Sequence, residues 1–345
     1  MKRIILFIFA FSIFHSCKKN YHPREINFIS TKEFIIDSTS IRAIQIIDKD
    51  NVAYASDNGQ IGFFGKEENS IIMPKYQDSI TPNFRSIAFN GHNYFVLSIG
   101  NPALLYNVSE EKASLVYSEN NEKVFYDSMH FFDDKQHGIA VGDPTEDCAS
   151  IIVTNNGGEN WNKLSCENSP KFEENEVFFA ASNTNIKTIG STVWIASGGK
   201  KARIFKSEDY GHSWQIFTTP IIQGDGSQGI YSIDFSDKKN GIIIGGDYSK
   251  PLKNKANKAI TKDGGKTWTL IADNQNPNYK SCVQYVPNTN GKEIFAVGKT
   301  GISYSNDGGF SWKEVSNESY YAIQFIDRNT AWLSGNNKIG KLILK

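Results

Sequence analysis

Arg42 and Arg85 occupy the same place in two similar stretches, "IRAIQIIDKDNVAYASDNG" (41–59) and "FRSIAFNGHNYFVLSIGNP" (84–102). Two guanidiniums brought side by side clamp a carboxylate or phosphate through paired N–H bonds. The equivalent place in further stretches carries Asp127, Tyr231, Lys280 and Tyr321. A second set of aligned positions carries Asp57, Asn101, Asp143, Lys200, Asp247, Lys299 and Asn336. Asp127, Asp143 and Asp247 are of the type that holds a cation or sugar hydroxyls, and Glu176, Tyr126 and Tyr248 stand near them. Carboxyl groups about 5–9.5 Å apart would instead serve as the acid and the nucleophile or base of a glycoside hydrolase, with Asp127, Asp143 and Glu176 as candidates. Polar strand ends around a wet channel would look the same with no ligand at all.

Other chemistries lack their residues. There is no Gly-rich dinucleotide loop between a strand and a helix, no paired CxxC and no haem-type CxxCH. His92, His130, His137 and His212 are scattered without metal-ligand spacing. Neither a cofactor nor a metal is expected. Lys+Arg and Asp+Glu both total 37, which leaves no basic footprint for nucleic acid.

The positioning elements follow from repetition. Four octets, "TNNGGENW" (154–161), "SEDYGHSW" (207–214), "TKDGGKTW" (261–268) and "SNDGGFSW" (305–312), recur at intervals of about 44–54 residues, the period of a propeller blade or solenoid unit. Each follows the same cassette: an apolar strand, a polar turn, a second apolar strand ending in glycine, and a third strand. The cassette also occurs without its octet at 41–59, 84–102 and 320–337, and in a more irregular copy at 178–200, "FFAASNTNIKTIGSTVWIASGGK". That makes seven copies. A four-stranded sheet cannot bury both faces alone, so copies must stack and close into a ring. The last copy lacks a fourth strand, which "INFISTKEFIID" (26–37) supplies. The expectation is an all-β, seven-bladed propeller of four-stranded antiparallel blades over 26–345, closed by its N-terminal strand. Octets then join third to fourth strands on a lower face, and both polar rings open on the upper face.

The octets resemble the Asp-box, or BNR, repeats of sialidases, the sortilin luminal domain and photosystem II assembly and stability factors. Seven cassettes without a catalytic insert are most similar to the last group and its bacterial relatives, the YCF48-like proteins. Phrases such as "GIAVGDP", "FFAAS" and "ARIFKSEDYGHSW" resemble bacterial BNR-propeller proteins often labelled oxidoreductase. The resemblance implies a non-catalytic platform that holds a protein, or a glycan, on its upper face. The alternatives are a glycan-processing hydrolase of the sialidase kind and an enzyme of the kind labelled oxidoreductase. Against the sialidase reading, the chain has no Arg-Ile-Pro motif, and beyond Arg42 and Arg85 its mature part has only Arg24, Arg203 and Arg328.

At the N-terminus, Lys2 and Arg3 precede an apolar run over 4–14, too short to span a bilayer core, and Ser16 precedes Cys17. The segment resembles a bacterial lipoprotein signal. That implies removal of 1–16, lipidation of Cys17 and a tether over 17–25. Lys18 after the cysteine implies the outer membrane, with a monomer facing the periplasm or the cell surface and held by its lipid anchor alone. Export permits a disulfide. Cys148 and Cys166 flank the first octet almost symmetrically, so a hairpin there would bring them together across two strands; two buried free thiols are the alternative. Cys282 reads as core.

Overall fold

The computed structural model describes residues 21–65, 69–109 and 112–344. The leader and Cys17 lie outside the described residues. The central strands are short apolar runs buried on both faces, as in Val52–Ser56 and Gly138–Gly142, and every strand pairing in the sheets is antiparallel.

Four sheets contain four strands each, in up-and-down order. An example is Phe84–Phe89, Tyr94–Ser98, Ala103–Val108 and Ala113–Glu119. Two sheets contain six strands. In one, the short pair Glu176–Val177 and Gly198–Gly199 extends the inner edge of Gln228–Phe235 and its three partners. In the other, the long strand Thr31–Ile46 pairs through Thr31–Ile35 with Lys338–Leu342 of the closing strand Thr330–Ile343, and through Ile41–Ile46 with Val52–Ser56.

This seam corrects the seven-bladed expectation: counted as hydrogen-bonded sheets, the propeller has six blades. The cassette pattern counts hairpins, whereas hydrogen bonding runs on through Thr31–Ile46 and joins the first and last cassettes into one sheet. Residues 31–35 do supply the outer strand that the last cassette lacks.

The octets are hydrogen-bonded turns. In 261–268, the Gly265 N–H donates to Thr261 Oγ1 (2.9 Å) and Thr261 Oγ1 donates to Asp263 Oδ1 (2.8 Å). The Thr267 N–H and hydroxyl both donate to the Asp263 carboxylate, at 2.9 and 2.6 Å. Ser207/Asp209 and Ser305/Asp307 repeat the pattern, and Asn156 does so with one amide oxygen in the first octet. The fifth-position glycines all have positive φ. A Cβ on Gly158 would come within 2.3 Å of Phe95, so glycine also allows the neighbouring sheet to approach. Trp161 closes that turn against Phe95 and Phe131, with ring centroids 6.1 and 5.8 Å away. Behind the same octet Cys148 and Cys166 are bridged, their Cα atoms 5.5 Å apart. With Asp147 they form the one cluster of metal-ligating residue types among the described residues, and the bridge already uses both sulfurs.

These accepted bonds hold Asp263 down to about 2, despite the opposing effect of desolvation. Its stabilising contribution is therefore complete above the unfolded carboxylate range and is lost as pH falls through about 2. Asp263→Ala is expected to cost about 1–2 kcal/mol, because several charge-assisted bonds vanish together. Asn156→Ala, with no charge to lose, is expected to cost about 1 kcal/mol or less. Urea unfolding of the two variants at pH 7 checks the order.

Candidate functional site

The first strands of four cassettes each carry one residue more than their partners. Register slips by one between Ile41 and Ala43, between Phe84 and Ser86, between Tyr126 and Ser128, and between Ile230 and Ser232. The supernumerary residues are Arg42, Arg85, Asp127 and Tyr231. A bulge bends its strand and re-aims the extra side chain; Arg42, Arg85 and Tyr231 so turned line the cavity described next, while Asp127 is wholly buried. A glycine lies opposite the bulges at Asp127 and Tyr231, whereas Ser56 and Ser98 end the strands opposite those at Arg42 and Arg85. A Cβ on Gly142 would stand 2.2 Å from Phe125 O, and one on Gly245 2.0 Å from Gly229 O. Those glycines make room for the bulge.

A cavity of about 530 Å³ opens there. Arg42, Arg85, Asp143, Tyr231 and Tyr248 line it together with Lys299 and Tyr321 from the same two rings. Phe179 stacks on Tyr231 (centroids 4.0 Å apart, 4° between planes), and Tyr279 meets Tyr231 edge-on at 4.8 Å. The Arg42 guanidinium lies 4.1 Å from the centre of the Tyr321 ring. The Lys299 ammonium stands 6.0 and 5.7 Å from the rings of Tyr248 and Tyr279.

The floor is the chain itself. The irregular cassette at 178–200 does not begin with a regular strand: its regular first strand is only Ile186–Ile189, and the preceding residues enter the channel. Asn183 Nδ2 donates to Ile87 O and Asn183 Oδ1 accepts from the Met129 N–H, both at 2.9 Å, while Ser182 Oγ donates to Ser281 O at 2.7 Å. One short segment thus ties together three separate sheets. Its carbonyls receive the arginines: Arg42 Nη1 donates to Ala181 O at 3.2 Å and Arg85 Nη1 to Ala180 O at 3.5 Å. Arg85 Nε also donates to Asn83 Oδ1 at 3.2 Å. Arg42 Nε is buried with no partner among the described residues. Burial and the repulsion of Arg42 bring Arg85 down to about 10.

Two carboxyls lie beneath. Asp143 accepts from the Phe178 N–H at 2.7 Å, and its burial pushes it up to about 7. Asp127 is fully buried, neither of its oxygens has a hydrogen-bond partner among the described residues, and burial plus the nearby Asp143 charge drive it well upward.

The remaining ring residues serve elsewhere. Tyr126 is buried between sheets with its hydroxyl on Glu119 (2.8 Å). Glu176 is closed by Arg203, by the Glu173 N–H (2.9 Å) and by the Ser197 hydroxyl (2.5 Å). Asp247 takes the hydroxyls of Ser227 and Ser249 and is held near 2 by such bonds against desolvation. Lys280 is buried with its ammonium on Thr300 Oγ1 and Gly301 O, and desolvation brings it down to about 8. Of the carboxyls proposed as a hydrolytic pair, Asp143 alone lines the cavity. The residues that sequence reasoning missed are Phe179, Ala180, Ala181 and Tyr279. The signal for the first three was the run "FFAASNTN", whose small and amide residues break the strand pattern of the other cassettes.

No family model matches the chain, and no curated protein matches it in sequence. Solved structures do. One titled "YCF48 bound to D1 peptide" superposes with a TM-score of 0.66 at 13% identity, covering 93% of this chain and 98% of that one. YCF48 from Cyanidioschyzon merolae gives 0.60 at 16% identity, covering 90% and 98%. The WD40 repeats of RRP9 give 0.63 at 12% identity, covering 93% and 100%. The chain shares the β-propeller fold with all three.

Because burial raises Asp143 in the folded state, its neutral form contributes stability that is fully present below the unfolded value near 3.8 and is lost as pH rises through about 7, and Asp127 is shifted in the same direction. Asp143→Asn keeps the oxygen that accepts from Phe178. The variant is expected to flatten the decline in stability between pH 4 and 8, and urea unfolding across that range checks it.

Proposed function

We propose that this chain is an envelope lipoprotein, lipidated at Cys17 and held at the outer membrane, whose propeller mouth binds a protein partner without catalysing a reaction. The carrying observation is the mouth itself, where two guanidiniums and an aromatic wall meet over a floor of the protein's own backbone. Arg42 retains an unpartnered buried Nε, and Arg85 is held at a distance of 3.5 Å from its carbonyl. A carboxylate from a bound segment would satisfy donors that the fold leaves short, and the Tyr231, Tyr279 and Phe179 rings would cover an apolar neighbour. The solved propeller titled as bound to a D1 peptide gives a precedent for peptide capture on this architecture. A non-catalytic role is favoured by the lining, since Glu176 is sealed by Arg203 and Asp127 lies outside the cavity wall.

The test is affinity capture from detergent-solubilised envelopes of the native host, comparing the wild type with Arg42→Ala/Arg85→Ala. The expected result is a protein retained by the wild type and weakened at least about tenfold by the double variant, since truncating a buried charge partner costs several kcal/mol. Equal retention overturns the site. Retention of a glycan instead of a protein overturns the choice of partner while keeping the mouth.

A further inference from the structure

The segment before the first paired strand is strapped to one face of the ring. Glu293, whose side chain is wholly buried, receives Arg24 Nε at 2.8 Å, the Arg24 N–H at 3.0 Å and the Tyr21 hydroxyl. Arg24 also donates to Arg328 O (2.8 Å) and Asn329 Oδ1 (3.1 Å), and its own carbonyl accepts from Tyr304 and Asn306. The Arg328 guanidinium covers the Tyr21 ring at 4.7 Å. Glu293 ends the hairpin beside the last octet, Asn306 belongs to that octet, and Arg328 sits in the neighbouring hairpin. All three are on the octet face, opposite the mouth. A flexible tether needs no buried ion pair, so this one fixes where the chain leaves the ring.

Exposed apolar side chains stand among polar ones on the rim around that exit. Phe28 is 76% exposed and Ile343 61% exposed, and the two line one groove. Phe310, 55% exposed, occupies the sixth position of the adjacent octet. The same position in the other three octets holds Glu159, His212 and Lys266, all exposed. The octet beside the strap therefore departs from its siblings at the outermost residue of an otherwise repeated turn.

We propose that this rim, with Phe28, Phe310 and Ile343, lies in the lipid surface and holds the mouth facing away from the bilayer. The proposal rests on the lipidation of Cys17 stated under the proposed function. From Cys17 to Tyr21 is four residues, a reach of at most about 14 Å. Strands of five or six residues make the ring roughly 17–20 Å deep, so an anchor leaving the octet face cannot carry the mouth to the membrane. The aromatic and aliphatic rim supplies the second attachment that a lipid-anchored protein needs to hold one orientation. A partner captured at the mouth would then be met in the aqueous compartment, clear of the headgroups.

The full-length acylated protein is placed on vesicles of phosphatidylethanolamine and phosphatidylglycerol containing spin-labelled lipid, with a fluorescent probe on Phe310→Cys or, on the opposite face, Lys200→Cys. The Phe310 probe is expected to be quenched several-fold more than the Lys200 probe, and Arg24→Ala/Glu293→Gln, which frees the strap, is expected to reduce that difference. Mass spectrometry of Cys17 and vesicle flotation are read on the same samples. An acylated, floating protein whose probes are quenched equally, in reverse order or not at all overturns the orientation and leaves the lipoprotein reading standing. A protein without the acyl mass that does not float overturns both.

Discussion

The mouth exists because four inner strands each contain one residue more than the strand beside them. A bulge in an ordinary sheet is a local kink, but at the narrow end of a ring of sheets it has only one place to send the extra side chain. Arg42, Arg85 and Tyr231 are so placed, and Asp127, the fourth extra residue, is enclosed in the protein. At two of the bulges an opposing glycine is the other half of the device, since any Cβ on Gly142 or Gly245 would collide with backbone of the neighbouring strand. The site is thus built into the regular part of the fold, where strand pairing fixes geometry more tightly than a loop does.

That regularity depends on closure. A ring with an open seam would present two edges of unpaired N–H and C=O groups, and Thr31–Ile46 removes both by pairing with the closing strand on one half of its length and with Val52–Ser56 on the other. The channel segment supplies a second tie across the axis: Asn183 joins the sheets of Ile87 and Met129, and Ser182 reaches Ser281 far along the chain. It also converts an open pore into a cavity with a floor, and the floor is made of carbonyls, which suits guanidiniums above it.

Much of this was legible in the sequence, for identifiable reasons. The cassette and the octet each have a periodic signature with a mechanical cause: short apolar runs, a hydroxyl two residues before a carboxylate, a glycine at positive φ. Aligning them brought Arg42, Arg85, Asp143, Tyr231 and Tyr248 to one mouth, where the structure also places them. Alignment failed where position along a strand does not decide direction. Tyr126 precedes a bulge by one residue and so points between sheets, and Asp247 and Lys280 fold back onto local hydroxyls and carbonyls. Glu176, a candidate carboxyl near the mouth in the sequence, is instead closed by Arg203 from a later strand, a pairing that alignment of cassettes does not show. The blade count failed because hydrogen-bond continuity across Thr31–Ile46 leaves no mark in composition.

The charge balance at the mouth explains why its arginines remain available. Arg42 and Arg85 repel one another, and burial together with that repulsion brings Arg85 below the usual guanidinium range. Two ionised aspartates beneath them would settle that repulsion by forming an internal ion-pair network, and the mouth would then present little unsatisfied charge to a partner. Burial prevents this, because Asp127 is wholly enclosed and Asp143 nearly so, and both carboxyls hold their protons to higher pH than an exposed aspartate would. The fold therefore holds its positive groups and Asp143 at the cavity wall and encloses Asp127 away from it. Under the proposed function, an incoming carboxylate would exchange the carbonyl contacts of Ala180 and Ala181 for stronger, charge-assisted ones. As pH climbs through about 7 and Asp143 ionises, the cost of a charged carboxylate in that buried place falls on the folded state, so the stability of the protein declines through that titration.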